Sequence, residues 1–240
     1  MIAPDNAIPV ESLNRCREEF IEILSHVLRN QVAAMGGYAD LVATSGELNA
    51  DQTLFLERVQ AGTDRLNRML PVLIDLMWIE AGIPLRQQSV ALDQVAADVV
   101  ADLEILAASK NIQIRLAVAK PLPDVRGDAA RLKQALTEIV RNACVYSPLE
   151  SSVSVEIWGD QKAVYCAVAD QGIGISALDQ DLIFDRLYRS ADQRVREIQG
   201  SGLGLTLANR IVRAHHGELK VVSQLDQGSI FTLAIPITAP

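Results

Sequence analysis

The chain has 240 residues, 49% of them apolar, and a formal net charge of −8. That length fits one large or two small domains with a real core, and the acidic balance argues against a nucleic-acid footprint, which needs a basic face. Three cysteines, Cys16, Cys144 and Cys166, stand far apart with no CxxC pair, arguing against a disulfide framework or a zinc site and for reduced, mostly buried thiols.

From about residue 11 to 80 the pattern is helical. Apolar side chains recur at Ile21, Leu24, Leu28, Met35, Tyr38 and Val42, interrupted by Gln31, and again at Leu56, Val59, Leu66, Leu70, Leu73 and Met77. Alternating steps of three and four predict a narrow seam with coiled-coil-like packing. SGELNAD between the two stretches supplies a turn and an N-cap at Asn49 or Asp51. The expectation is an antiparallel hairpin whose seam is too wide for one hairpin to bury, so that two copies pair into a four-helix bundle, a homodimer. Pro71 should kink the second helix or free the carbonyl of Asn67. No run approaches ~18 uninterrupted apolar residues and the N-terminus lacks a signal-like pattern. The reading is therefore a soluble, cytoplasmic chain with no direct membrane insertion.

After AGIP at 81–84 the texture changes. Helical patterns at about 92–109, 128–145 and 203–215 alternate with β-rich runs at 112–118, 152–158, 163–169 and 219–235. The last run reads as two strands around a glycine turn. This predicts an α+β or α/β layer structure, one sheet with helices packed on it. The boundary falls near Gly82, giving a hairpin at 11–82 and a layered domain at 83–240.

Three segments of the second half suggest chemistry. DQGIG at 170–174 follows a strand. Asp170 could accept a hydrogen bond from an exocyclic amine, with Gly172 and Gly174 allowing close backbone approach, or the segment could be an ordinary Asx-type turn. GSGLGL at 200–205 opens a helix and so offers free N–H groups and a positive dipole end to a phosphate. It lacks the GK[ST] ending of a P-loop and the strand of a dinucleotide fingerprint. Between them Arg186, Arg189, Arg194 and Arg196 belong either to a solvated loop or to a lid over an anionic ligand. In RLKQALTEIVRNACVYS, Glu138 and Asn142 lie four apart on one helix, a spacing able to hold a hydrated Mg²⁺ or orient a water.

In this order the segments resemble the ATP-binding domain of two-component histidine kinases, within the wider family that includes gyrase and MutL. TEIVRNACVYSP resembles the family's N box, DQGIG its first glycine box, IFDRLYR its phenylalanine-containing box and GSGLGL its second glycine box. FIEILSHVLRNQVAAMGGYADLV resembles the helix that carries the phosphoaccepting histidine, and RLNRMLPVLIDLMWIEAG its partner helix. The likeness runs from about residue 15 to 238. It implies an α/β-sandwich nucleotide domain binding ATP and Mg²⁺. Asn142 would be the metal ligand, Glu138 would stand where an Asn or acid is usual, and Asp170 would accept the adenine amine with Gly172 and Gly174 lining that pocket. Tyr146 would lie near the nucleotide, Gly200, Gly202 and Gly204 with Leu205 would form the phosphate loop, and Arg189 would belong to the ligand's lid. His26 would be the phosphoacceptor. The resemblance further implies phosphotransfer to a response-regulator receiver domain. About fourteen residues precede the likeness, and the expectation is that the signal comes from a separate sensor or adaptor protein.

Helical geometry supports His26 independently. At ~100° per residue it lies about 200° from both Leu24 and Leu28, away from the apolar seam. His215 and His216, at a helix C-terminus before Gly217, read as structural partners of the helix dipole. Three positions depart from the family. Val27 replaces the acid that takes the histidine's proton, Gln31 replaces a proline, and Val145 replaces a lysine near the phosphates. Asn30 shares the outward face with His26 and fits a position that orients water in phosphatase activity, and Glu22 is a distant substitute base. The expectation is an active but attenuated kinase. Its rivals are a non-catalytic ATP-binding adaptor and a phosphatase-biased regulator.

Overall fold

The computed structural model describes residues 10–198 and 200–237, so most of the segment ahead of the hairpin lies outside the described residues. The chain divides into two compact units between Pro84 and Leu85. The first is the pair α1 (Val10–Thr44) and α2 (Ala50–Glu80). Asn49, not Asp51, caps α2. Its side chain accepts the Gln52 N–H at 2.9 Å while the Gln52 side chain accepts the Asn49 N–H at 2.9 Å. This reciprocal box satisfies two otherwise orphan donors, and an N-cap of this kind contributes about 1 kcal/mol. α2 continues unbroken through Pro71. Proline has no N–H, so the Asn67 carbonyl loses its helical partner while the helix persists on both sides.

The seam inside the hairpin keeps Ile21 and Leu70 as expected, with Leu28 and Met77 packed against them, but elsewhere shifts by one residue. Ile21, Ser25, Val32 and Ala39 are buried from α1, and Thr63, Leu70, Ile74 and Leu76 from α2. Ser25, Val32 and Ala39 thus take the places expected for Leu24, Gln31 and Tyr38. Small side chains explain the choice, because they let the helices approach closely, as at Gly36, where a Cβ would already lie 3.4 Å from Thr63 Cγ2. Met35, Val42, Val59, Leu66 and Leu73 remain exposed, and Tyr38 is 70% exposed. A second apolar stripe with Phe20, Ile23 and Val27 therefore faces outward.

The second unit contains β1 (Gln88–Val90), α3 (Leu92–Asp102), α4 (Glu104–Ser109), β2 (Gln113–Val118), β3 (Val125–Gly127), α5 (Ala129–Tyr146), β4 (Ser152–Gly159) and β5 (Ala163–Ala169). It continues with α6 (Gln193–Glu197), α7 (Gly204–Ala214), β6 (Glu218–Gln224) and β7 (Gly228–Pro236). The main sheet has the order β2-β4-β5-β7-β6, with β2 and β4 parallel and the other pairs antiparallel. Alternate residues of the central strands are buried, Val153, Val155 and Ile157, Val164, Cys166 and Val168, and Phe231, Leu233 and Ile235. Period-2 burial of this kind marks a sheet with one covered face. The cover is α5, packed against both α3 and α7, with Leu132, Leu136, Ile139, Leu207 and Ile211 all buried. The fold is a two-layer α/β sandwich preceded by a helical hairpin. Among the described residues no helix is long and apolar enough to cross a membrane.

Several details differ from the sequence pattern. The helix expected at 92–109 breaks at Leu103, and β1 and β3 form a separate two-stranded antiparallel pair too short to show a period. Cys144 and Cys166 are buried but Cys16 is exposed. His215 does not serve the helix dipole as a cation. It is buried, hydrogen-bonds the Ile211 carbonyl through Nδ1 at 2.8 Å, and accepts the Asp128 N–H at Nε2 at 2.9 Å. With Nδ1 donating and Nε2 accepting, the ring is neutral and ties the end of α7 to the start of α5. Gly127 has no room for a side chain here, since a Cβ would lie 2.4 Å from His215 Cδ2.

Burial is the main cause holding the His215 pKa below its ordinary value. The unfolded chain takes up a proton near pH ~6.5, while the folded chain resists until lower pH. The contribution is therefore fully present above about pH 6.5 and lost as pH falls from there toward the folded value. We expect thermal unfolding to shift down between about pH 7.5 and pH 5.5, and His215→Leu to lose part of that pH dependence. The variant should be less stable by about 1–3 kcal/mol at neutral pH, because the Asp128 N–H loses its partner.

Candidate functional site

One cavity in the second unit is lined by α5, the end of β5, the segment 173–195 and the glycine loop before α7. Asp170, the first residue after β5, lies on its wall. Its Oδ1 accepts the Gly172 N–H at 2.8 Å and the Ser229 N–H at 3.2 Å, so Oδ2 is left for another donor. Burial raises its carboxyl above the usual range, opposed by those two backbone bonds. Gly174 lines the cavity with φ +67°, and a Cβ there would lie 2.0 Å from the Gln224 carbonyl. Gly172 differs from expectation, since it is absent from the cavity wall. It sits beneath, where a Cβ would lie 2.7 Å from Asp170 Oδ1 and 2.8 Å from the Tyr146 carbonyl. Only glycine lets its N–H reach the carboxylate.

α5 brings Arg141, Asn142, Val145 and Tyr146 to the wall. The Asn142 amide makes no hydrogen bond to another described residue. Glu138, expected beside it, is not on the wall. Its Oε2 accepts from Arg141 Nη2 at 2.7 Å and lies where a Cβ on Gly204 would come within 2.2 Å. The carboxylate therefore lies against the first residue of α7, a favourable place for negative charge. Arg141 was not singled out from the sequence. Its signal was its place four residues before Val145, one turn along the same face, so the wall keeps a cation although Val145 is apolar.

Gly200, Gly202, Gly204 and Leu205 all line the cavity. Gly202 has φ +70° and packs against the backbone of Leu187 and Tyr188. Arg189 also lies on the wall, but its guanidinium donates to the carbonyls of Gly200, Val195 and Ile198. It braces these three carbonyls rather than reaching an open ligand position. Asp179 accepts from Tyr188 Oη at 2.6 Å and Ser190 Oγ at 2.7 Å, bonds that hold its carboxyl below the usual range. Arg194 pairs with Asp192 and with Asp226 of the β6–β7 turn at 2.6 and 2.7 Å. The loop is thus structured and takes in the short helix α6.

Lys110 was also unmarked in the sequence. Its Nζ donates to the carbonyls of Cys144, Val145 and Ser147 at 3.0, 2.8 and 2.6 Å, closing the end of α5. Burial lowers its pKa. In the other unit His26 and Asn30 are both exposed on α1, with Asn30 Nδ2 3.1 Å from His26 Nδ1.

A cavity whose wall carries a carboxylate, an amide, a guanidinium and a glycine loop suits a flat amine-bearing ring joined to an anionic chain. The comparisons with known proteins agree. Residues 127–239 match the histidine kinase-, DNA gyrase B-, and HSP90-like ATPase family, and residues 16–82 match the His Kinase A (phospho-acceptor) domain. The chain belongs to the two-component histidine kinase family.

The sensor-like histidine kinase SenX3 of Mycobacterium tuberculosis is 32% identical over 93% of this chain and 55% of its own length. The phosphate regulon sensor protein PhoR of Pseudomonas aeruginosa is 29% identical over 93% of the chain and 51% of its own. The chain spans about half the length of these curated relatives. Among solved structures, full-length ShkA in complex with AMPPNP superposes with a TM-score of 0.70 and 26% identity, over 92% of this chain and 46% of that one.

Proposed function

We propose that the chain is a catalytic histidine kinase core that binds ATP with Mg²⁺, transfers the γ-phosphoryl group to His26 and passes it to an aspartate of a response-regulator receiver domain. The observation that carries this reading is the convergence of Asn142, Tyr146, Asp170, Gly174, Gly200, Gly202 and Gly204 on one cavity. It occurs in a chain whose other unit presents an exposed histidine within a region matching a phospho-acceptor domain. In this reading the free side of Asp170 accepts the adenine amine between the apolar side chains of Ile173 and Phe231. The glycine loop and the start of α7 hold the phosphates, with Arg141 in place of the lysine that Val145 lacks.

The residues present fit a magnesium ion. Asn142 has an uncommitted amide oxygen on the wall, and Mg²⁺ characteristically takes one or two protein ligands with phosphate oxygens and waters completing the shell. Asn142 would hold it, and the ion supplies neutralisation of the phosphate charge. Glu138 is engaged by Arg141 and lies off the wall, so its part is to orient that guanidinium.

At His26 the ring nitrogen is the nucleophile and Val27 can take no proton. A positioned base is worth ~10²–10⁴ in rate, whereas phosphoryl transfer rests mainly on positioning and charge neutralisation. The reaction is therefore slow rather than forbidden. The outward stripe of Phe20, Ile23, Val27, Tyr38 and Leu41 supports a homodimer that buries it in a four-helix bundle. The cytoplasm fits this work, since it supplies ATP and keeps Cys16, Cys144 and Cys166 reduced.

Incubation with γ-labelled ATP and Mg²⁺ should give acid-labile, base-stable label that His26→Gln eliminates and Val27→Glu increases. A chain that never takes label would instead be a nucleotide-binding adaptor. Asp170→Asn should weaken ATP binding by about 5- to 100-fold in calorimetry, the loss expected when a buried polar partner is removed. Unchanged affinity would place the nucleotide elsewhere. Light scattering at micromolar concentration should report a dimer, and the double substitution Tyr38→Glu, Leu41→Glu should shift it to monomer. A monomeric parent chain would contradict the bundle.

A further inference from the structure

The contact between His26 and Asn30 has a direction. Asn30 Nδ2 lies 3.1 Å from His26 Nδ1, and an amide nitrogen can only donate, so Nδ1 is the acceptor. In a neutral imidazole the single ring proton is then on Nε2. Nε2 is the outer nitrogen, the one a second domain can reach, and it has no partner among the described residues.

A ring in this tautomer cannot attack from Nε2, because its in-plane electron pair there is tied up in the N–H bond. The pair becomes available only when the proton resides on Nδ1. A carboxylate beside the ring would favour that form and take the proton away, but Val27 is apolar and Glu22, one turn earlier and exposed, makes no hydrogen bond to the ring.

We propose that Asn30 is a tautomer brake on His26: its amide N–H groups hold the ring in the Nε2–H form, and transfer waits until that hydrogen bond is released. This rests on the reading of His26 as the phosphoacceptor. Once the proton has moved to Nδ1, the Nε2 electron pair forms the bond to the γ-phosphorus of ATP. The bond from phosphorus to the bridging oxygen breaks, ADP keeps that electron pair, and the Nδ1 proton passes to water. Asn30 is here a positioning residue that acts through the histidine. One exposed hydrogen bond has a modest net strength, so the brake slows the reaction by about two- to tenfold and does not abolish it.

The test uses the full chain and two readouts. Nitrogen-15 NMR of histidine-labelled protein at neutral pH reads which ring nitrogen of His26 carries the proton. Initial rates with γ-labelled ATP, measured without a receiver domain so that dephosphorylation does not enter, read the transfer. The parent chain should show predominantly Nε2–H. Asn30→Ala should raise the share of Nδ1–H and speed labelling by about two- to tenfold, with circular dichroism confirming an intact helix. Asn30→Asp, which offers a carboxylate to Nδ1–H, should shift the tautomer further and speed labelling more. A parent ring that is mainly Nδ1–H would overturn the proposal. So would His26-dependent labelling that is slowed or unchanged in Asn30→Ala. Absence of label in all variants would defeat the kinase reading instead, and the NMR populations would then accept or reject the tautomer assignment alone.

Discussion

The Asp170 carboxylate lies at the end of β5 and turns one oxygen back onto the main chain, onto the N–H groups of Gly172 and Ser229. Ser229 is the second residue of β7, after Gly228, whose φ is +89° and where a Cβ would lie 2.0 Å from the Asp170 carbonyl. The Asp170 N–H in turn donates to the Ser229 carbonyl at 2.9 Å. One side chain therefore ties two neighbouring strands of the sheet to the turn at 170–174, and the cavity is built outward from that knot. Removing a carboxylate from water without such bonds would be prohibitive; with two backbone donors it is fixed in place and still has an oxygen to offer.

α5 carries the other wall. Its inner face covers the sheet through Leu132, Leu136 and Ile139. The next stripe round the helix presents Arg141, Asn142, Val145 and Tyr146 to the cavity. Both ends of the helix are secured by side chains distant in sequence, His215 at the Asp128 N–H and Lys110 at the last carbonyls. These bonds set where along its axis the helix stops, and hence the depth at which Asn142 stands.

The strands and the helices on the sheet are legible in the sequence because β-branched runs of six to nine residues and an amphipathic helix each carry a period. β1 and β3, three residues each, are too short to carry one. In the hairpin the seam keeps Ile21 and Leu70 but passes through Ser25 and Ala39 instead of Leu24 and Tyr38, because hydrophobicity favours the larger pair and close helix approach the smaller. Around the site, Asp170, Asn142 and the glycines are marked by local spacing. Gly172 and Gly174 look alike in DQGIG, yet one supports the carboxylate and the other borders the cavity, and only the strand pairing separates them. Lys110 and His215 act across long stretches of chain, where no local pattern gives their partners, whereas Glu138, three residues before Arg141, pairs with it instead of standing beside Asn142.

Two parts of the cavity wall differ in how they are made. Asp170 stands on a segment joined by main-chain bonds to the neighbouring strand. The loop is joined through side chains, Tyr188 and Ser190 on Asp179, Arg189 on three carbonyls and Arg194 on Asp226. Main-chain bonds survive most substitutions, whereas side-chain bonds are rewritten by single ones. On the proposed reading, sequence drift in the loop can therefore retune how long a ligand stays while leaving recognition at Asp170 untouched. Over generations, the loop is the more easily altered part of this site and the strand end the more conservative one.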